Sequence, residues 1–276
     1  MTTHLRPAGA ERHEADGGRT RAYAVCVNGH PVGDVELATD PRLGPTAGRV
    51  RTLRIHKPER GRGRGTVAAL AAEEVLRGWG CRDVLLSLDA RADVGLRLAA
   101  ALGYTETGRT LDKKPAEAPE LPHGCVVRPM AAAEYPDWRI AEADTYAQRW
   151  RERGMSPDEA RSRSRADHDD LLPAGAATPD VALRVLEHDG AAVGTVWIAL
   201  RPLIATGGYV YSVAVAPEHR GRGHGRTLMR VAERECLAAG LPTLGLHVFA
   251  GNDVALRLYE SLGYRPTAYH LRKPLI

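Results

Sequence analysis

The sequence predicts two copies of one mixed α/β layered domain joined by a proline-containing linker, and three observations carry that prediction. The first is a repeat. Sliding the 276-residue chain along itself lays Arg60-Gly61-Arg62-Gly63-Arg64-Gly65 on Arg220-Gly221-Arg222-Gly223-His224-Gly225. In the same register Asp93-Val94-Gly95-Leu96-Arg97-Leu98 falls on Asp253-Val254-Ala255-Leu256-Arg257-Leu258, and Leu102-Gly103-Tyr104 falls on Leu262-Gly263-Tyr264. Upstream, one residue out of step, Val32-Gly33-Asp34-Val35 resembles Val193-Gly194-Thr195-Val196. The second observation is the order of elements in the second copy: strand, glycine loop, helix, strand, helix, strand. The third is the stretch from Lys113 to Pro122, where Pro115, Pro119 and Pro122 among interleaved charges resist helix and sheet. The expected domains are 1–114 and 125–276, with 115–124 as linker.

Each element of the second copy has its own signal. Val181 to Glu187 and Val193 to Leu200 read as a hairpin turned by Asp189-Gly190. Tyr209 to Val215 is rich in Val and Tyr, a strand. Leu228, Val231, Ala232 and Leu237 form a helical stripe closed by Gly240. Leu244 to Phe249 is a further strand, and Val254, Ala255, Leu258 and Leu262 mark a second helix ending at Gly263. The first copy reaches its glycine loop sooner. The excess in the second copy falls in a polar-apolar stretch, Ala131 to Asp170.

Composition narrows the function. A chain 43% hydrophobic and 26% charged can fill cores, which excludes wholesale disorder. No run approaches the roughly 20 apolar residues of a membrane span, and the N-terminus lacks an apolar signal region, so a cytoplasmic protein is expected. Cys26, Cys81, Cys125 and Cys236 stand far apart, which argues against a disulfide framework or a zinc site. A formal charge of +4 permits nucleic-acid binding without demanding it, and small phosphate ligands explain a local basic cluster equally well. Nucleic acid is not an expected partner.

The segment Arg220 to Gly225 between a strand and a helix is a phosphate-binding arrangement on physical grounds. Glycines remove the Cβ atoms that keep a ligand from the backbone. The amides at the helix N-terminus are unpaired and aim partial positive charge at an anion. Arg220, Arg222 and Arg226 add charge-assisted donors. Neither G-x-x-x-x-G-K-[ST] nor the dinucleotide G-x-G-x-x-G with a downstream acid fits. Arginine-glycine segments of the RNA-binding type are disordered and repeated, not wedged between a strand and a helix.

Val213-Ala-Val-Ala-Pro-Glu-His-Arg220-Gly-Arg-Gly-His-Gly225 resembles motif A of the GNAT superfamily of acyl-CoA-dependent N-acyltransferases, with its R-x-x-G-x-G core at Arg220, Gly223 and Gly225. Asn252-Asp-Val-Ala255-Leu-Arg-Leu-Tyr259-Glu-Ser-Leu-Gly263-Tyr264 resembles motif B of the same family. The resemblance covers 125–276 well and 1–114 in part. It implies a mixed, mostly antiparallel sheet flanked by helices, with two central parallel strands splayed into a V. It also implies acetyl-CoA or another short acyl-CoA as cofactor. The pantetheine arm would pair with Val213, Ala214 and Val215, and the pyrophosphate would rest on the amides of Gly221, Arg222, Gly223, His224 and Gly225. Asn252 would face the pantetheine or a bound water, and Tyr259 would be the general acid that protonates the departing thiolate. Without the resemblance, Tyr259 reads as a packed helix tyrosine and Asn252 as an N-cap.

The first copy departs where chemistry would be done. Its loop survives at Arg60, Gly61, Gly63 and Gly65, a possible second cofactor site, while Asn252 is matched by Ala92 and Tyr259 by Ala99. The segment it lacks corresponds, in the family, to the helices over the acceptor. On the second copy, Trp138, Glu142, Tyr146 and Trp150 share one helical face. Such a stripe reads first as core packing. Its functional reading has the aromatics cupping an amine acceptor, Glu142 meeting the ammonium group, and His247 as a base. His168 and Asp169, adjacent on a helix, should point apart. Two functions follow: an N-acetyltransferase active in its second half, or a non-catalytic acyl-CoA-binding sensor or scaffold. No metal is called for.

Overall fold

The computed structural model describes residues 3–44, 46–152, 155–201 and 207–275. Residues 153 and 154, within the predicted acceptor segment, lie outside the described residues, as do 1, 2, 45, 202–206 and 276. The chain forms two compact units, and they are not simply sequential. Unit 1 takes Met1–Thr110, Phe249–Gly251 and Pro266–Ile276, while unit 2 takes Leu111–Val248 and Asn252–Arg265.

Unit 1 contains β1 (Thr3–Pro7), β2 (Arg12–His13), β3 (Arg19–Val27), β4 (His30–Thr39), β5 (Ala47–Ile55), α1 (Arg64–Gly78), β6 (Asp83–Asp89) and α2 (Asp93–Ala101). It also holds the first part of β7 (Thr105–Lys113). The strands run β1-β3-β4-β5-β6, antiparallel except for the β5–β6 pair. Asn28 and Gly29, with φ of 50° and 84°, make the tight β3–β4 turn that these two residue types favour. The strand after β6 comes from the far end of the chain. It is the last element, Arg265–Pro274, whose Leu271 lies opposite Leu86 and is buried among Leu37, Leu76 and Val84.

Unit 2 contains the end of β7, then β8 (Cys125–Pro129), α3 (Tyr135–Arg151), α4 (Pro157–Leu171), β9 (Val181–His188), β10 (Ala191–Ala199), β11 (Gly208–Val215), α5 (His224–Ala238), β12 (Leu244–Phe249) and α6 (Asp253–Ser261). The final strand, β13 (Arg265–Pro274), is the one shared with unit 1. The strands run β12-β11-β10-β9-β8, again antiparallel except for one parallel pair, β11–β12. The expected hairpin is present, turned by Asp189 (φ 50°) and Gly190 (φ 81°). The excess segment is a helical pair, α3 and α4. Pro157 starts α4, and Ser156 and Glu159 cap it reciprocally. Leu111 of β7 is buried in the core of this unit with Ile198, Leu228, Leu244 and Leu246.

Side chains from the last strand of each repeat therefore enter the core of the other unit. Leu111 and Leu271 are equivalent positions of the repeat, each in the opposite core. Lys113 and Lys273 behave likewise. Lys113 reaches Glu233 at 2.7 Å beneath the ring of Tyr264, and Lys273 reaches Glu73 at 2.6 Å beneath the ring of Tyr104. Between Lys113 and Cys125 no helix or strand forms. No helix among the described residues is long and apolar enough to cross a membrane.

Candidate functional site

Within unit 2, β11 runs through a short 3₁₀ turn at Pro217–His219 into the loop that opens α5. Gly221 and Gly223 adopt φ of 76° and 85°, backbone that a side chain with a Cβ rarely takes, and nothing stands within 4 Å of where either Cβ would be. Gly225 is a tighter position, since a Cβ there would lie 3.3 Å from the Leu258 side chain of α6. Helix α5 has no side-chain cap and no acid in its first turn. Among the described residues, no hydrogen bond takes up the amides of Gly221 to Gly225. Open space over unbonded amides at a helix N-terminus suits a diphosphate. Arg220 ties the loop to β11 through Nε donating to the Val215 carbonyl at 3.2 Å, and Arg226 donates to Ser261 at 2.8 Å. Arg222 is exposed. His224 contributes only its backbone, because its ring is buried against His188 and His219, and desolvation foremost lowers its pKa.

The strand beside the loop is open on one edge. β11 and β12 pair only from Gly208–Val210 to Leu244–Leu246 and then part, which is the expected V. Val213, Ala214 and Val215 pair with β10 on one side and, among the described residues, with no strand on the other. A bulge at Tyr211 breaks the alternation, as bulges beside functional sites do. Val210, Val213 and Val215 consequently pack on the core, while Tyr211 stacks on Trp197 at 4.6 Å and Ser212 turns to α3. Unit 1 repeats the device, with its bulge at Arg51.

Two residues sit on α6 beside this V. Asn252 is the N-cap, its Oδ1 accepting from the Ala255 amide at 3.2 Å, which leaves its amide hydrogens free of that task. Tyr259 is half-buried, edge-on to Tyr264 at 6.1 Å. Burial raises its phenol pKa, with Arg149 opposing, so the group stays protonated at neutral pH. Tyr209 also has a raised pKa, through burial first and then its neighbours Tyr211, Tyr146 and Tyr259. That set joins β11, α3 and α6 around one region.

The four-residue stripe on α3 divides. Trp138 packs edge-on to Trp197 and beside Tyr135, in a cluster with Met130, Leu172 and Val185. Tyr146 meets Trp150 and His168 edge-on and donates its hydroxyl to Asp167 at 2.8 Å. Glu142 is buried, and Ser212 donates to its Oε2 at 2.8 Å. His247 is half-buried on β12 between the buried Leu246 and Val248. His168 and Asp169 do point apart, His168 inward against Trp197 and Asp169 outward to Arg139. Tyr209, Tyr211 and Ser212 escaped sequence reasoning. Their signal lay in the repeat, which pairs the two tyrosines with Arg49 and Arg51.

In unit 1 the loop has the same backbone, with Gly61 and Gly63 both at φ 72° and open space above them. Arg60 again ties it to its strand, Nε donating to Ile55 at 2.8 Å. Ala92 caps α2 with no side-chain bond, and Ala99 is buried in the core. On β5, Arg49 pairs with Asp40 and Arg51 with Glu14 and Glu36. A face that in unit 2 carries tyrosines is here laced with ion pairs.

Comparison with known proteins gives the same grouping. The family model described as "Acetyltransferase (GNAT) family" matches residues 3–104 and 140–264. A protein named mycothiol acetyltransferase from Thermomonospora curvata is 28% identical over 90% of this chain and 80% of its own. Another of that name from Kytococcus sedentarius is 30% identical over 81% of each chain. In fold, the chain is similar to a GCN5-related N-acetyltransferase from Sphaerobacter thermophilus, with a TM-score of 0.56 at 20% identity over 92% of this chain and 80% of that one. It is also similar to a tandem GNAT protein from the clavulanic acid biosynthesis pathway, with a TM-score of 0.51 at 18% identity over 95% and 85%. With both regions matched by one family model, the chain belongs to the GNAT acetyltransferase family and is an acyltransferase made of two GNAT copies.

Proposed function

We propose that unit 2 transfers an acetyl group from acetyl-CoA, or another short acyl group from its CoA thioester, to a small-molecule amine, and that unit 1 does not catalyse. The observation that carries this reading is a contrast within one chain. Both units keep the uncapped glycine loop, but only unit 2 sets a half-buried phenol, Tyr259, beside the parted strands, where unit 1 has Ala99. Bound acyl-CoA would supply a carbonyl carbon already activated as a thioester. The amides of Gly221 to Gly225, with Arg220, Arg222 and Arg226 around them, would hold its diphosphate. The free edge of Val213 to Val215 would pair with its amide groups, and the hydrogens of Asn252 Nδ2 would reach the same arm or a water. Tyr259 then holds a proton for the leaving sulfur, the work of a general acid. Glu142, Tyr146 and His247 would border the acceptor, while Trp138, packed on Trp197 in the core, would support that wall from behind. In unit 1, Arg60, Gly61, Gly63 and Gly65 would hold a second acyl-CoA without chemistry.

Tyr259→Phe tests the reading. It should lower kcat by about 10²- to 10⁴-fold, the range of general-acid catalysis, with acetyl-CoA affinity nearly intact. Thiol release with primary amines, including polyamines, aminoglycosides, amino acids and peptide N-termini, measures it. The relatives' names put a mycothiol-type acceptor in the same panel. Wild-type turnover in the variant, with chemistry rate-limiting, removes Tyr259 from the mechanism.

A further inference from the structure

An amine arrives at neutral pH as an ammonium ion and cannot attack until it loses a proton. Among the described carboxylates near β11, Glu142 is placed to take it. It stands on α3, is 9% exposed, and its only bond among the described residues is the 2.8 Å contact from Ser212 to Oε2. A carboxylate carries about four acceptor sites, so one hydroxyl leaves it under-satisfied. Among the described residues its Oε1 has no hydrogen bond, and it is not one of their fully sealed polar atoms. The other buried acid of this unit, Glu233, is already neutralised by Lys113. Asp167, nearer the end of the helical pair, is occupied by Tyr146 and Arg163. A buried carboxylate without a cation is costly to keep unless a cation visits it.

Position agrees with that need. Ser212 lies just past Val210, where β11 stops pairing with β12, and it faces α3 because the bulge at Tyr211 turns it there. The alternative of a simple tie between α3 and β11 would be served equally well by a neutral amide.

We propose that Glu142 is the proton acceptor for the incoming ammonium group, and that Ser212 is the residue positioning it; this rests on unit 2 being the acetyltransferase. One ammonium proton passes to the Glu142 carboxylate and on to solvent. The amine lone pair then forms the N–C bond, the C–S bond breaks with its electrons on sulfur, and Tyr259 gives the sulfur a proton. The second amine proton replaces the one Tyr259 gave. Atoms and charge balance as ammonium plus thioester giving amide, thiol and one released proton.

The test is Glu142→Gln, which keeps the shape and can still bond to Ser212. With whichever primary alkylamine the wild-type enzyme turns over, kcat/KM of the variant should fall about 10²- to 10⁴-fold at pH 7. The deficit should then shrink about tenfold per pH unit toward pH 9, as solution supplies the free base. Ser212→Ala should show a smaller deficit with the same pH trend, and acetyl-CoA affinity by calorimetry should be unchanged in both. A deficit that is absent, or equal at every pH, overturns the proposal and leaves Glu142 a structural tie. No wild-type turnover with any amine would instead refute the acetyltransfer reading beneath it.

Discussion

Replacing Lys113 by methionine should destabilise unit 2, although Lys113 lies in the first repeat. Its ammonium is 2.7 Å from Glu233, whose side chain is 4% exposed, and 5.7 Å from the Tyr264 ring centroid. Removing one partner of a buried pair costs about 3–5 kcal/mol, because the other charge stays buried alone. Lys113 is itself 24% exposed, and solvent screening brings the expected cost down to about 2–3 kcal/mol. For a unit of this size that corresponds to a fall of about 4–12 °C in its melting temperature. Scanning calorimetry reads it, with Lys114→Met, an exposed neighbour, as control. The double variant Lys113→Met with Glu233→Gln should recover most of the loss, since neutralising both members removes the orphaned charge. Equal melting temperatures for Lys113→Met and Lys114→Met would refute the reasoning. The same exchange means that a chain starting at Cys125 lacks both Leu111 and Lys113, and it should melt lower still.

Gly223→Val should abolish acetyl-CoA binding by unit 2 in calorimetric titration, because a β-branched residue at φ 85° costs about 1–3 kcal/mol and fills the open space above the loop. Gly63→Val should remove any second site and leave turnover intact; the reverse pattern would reassign the active unit. In Gly194→Ala the new Cβ would strike the Ala214 carbonyl oxygen, so β10 and β11 must shift apart. A displacement of about 1 Å there should lower kcat/KM about 10²-fold. His224 and His270 both have pKa values lowered chiefly by burial, so both favour the neutral form when folded. Their contribution is complete above the ordinary histidine pKa of about 6.5 and is lost as pH falls below it. The melting temperature should therefore drop between about pH 6.5 and 5. A flat profile there would show that neither histidine charges on unfolding.

The repeat, the hairpin, both glycine loops and the helix after each were legible in the sequence because they depend on local signals. Asp189-Gly190 and Asn28-Gly29 need positive φ, and the loop glycines need it too. Even the motif found one residue out of step has a physical reason. Gly33 and Gly194 each lie where a Cβ would strike a strand carbonyl, Arg54 and Ala214 respectively, at 2.2 and 2.4 Å. Three features were not legible, because each depends on pairing between distant segments. Nothing local in Thr105 to Lys113 tells which core Leu111 enters. Nothing local marks Tyr211 as a bulge rather than one more alternating residue. The stripe on α3 looks uniform, yet Trp138 turns to the core with Trp197 while Glu142 turns to Ser212, a division set by the strands beneath it.

The contrast between the copies also runs deeper than the loss of one tyrosine. The bulge is kept in both, so the strand presents the same two side-chain positions in each unit. In unit 2 they carry Tyr209 and Tyr211, large apolar rings that require cover, and α3 and α4 belong to the same unit. In unit 1 they carry Arg49 and Arg51, which are satisfied by Asp40, Glu14 and Glu36 at the surface and require no cover. Arginine in place of tyrosine and the absence of covering helices thus go together in unit 1, since an uncovered aromatic pair would be an exposed apolar patch. Ala99 fits the same account. It is 3% exposed and packed in the core, so the site of the missing phenol has closed over with side chains. The glycine loop escaped this change because it answers to different demands, two positive φ angles and an open helix end, which remain useful wherever a phosphate is to be held.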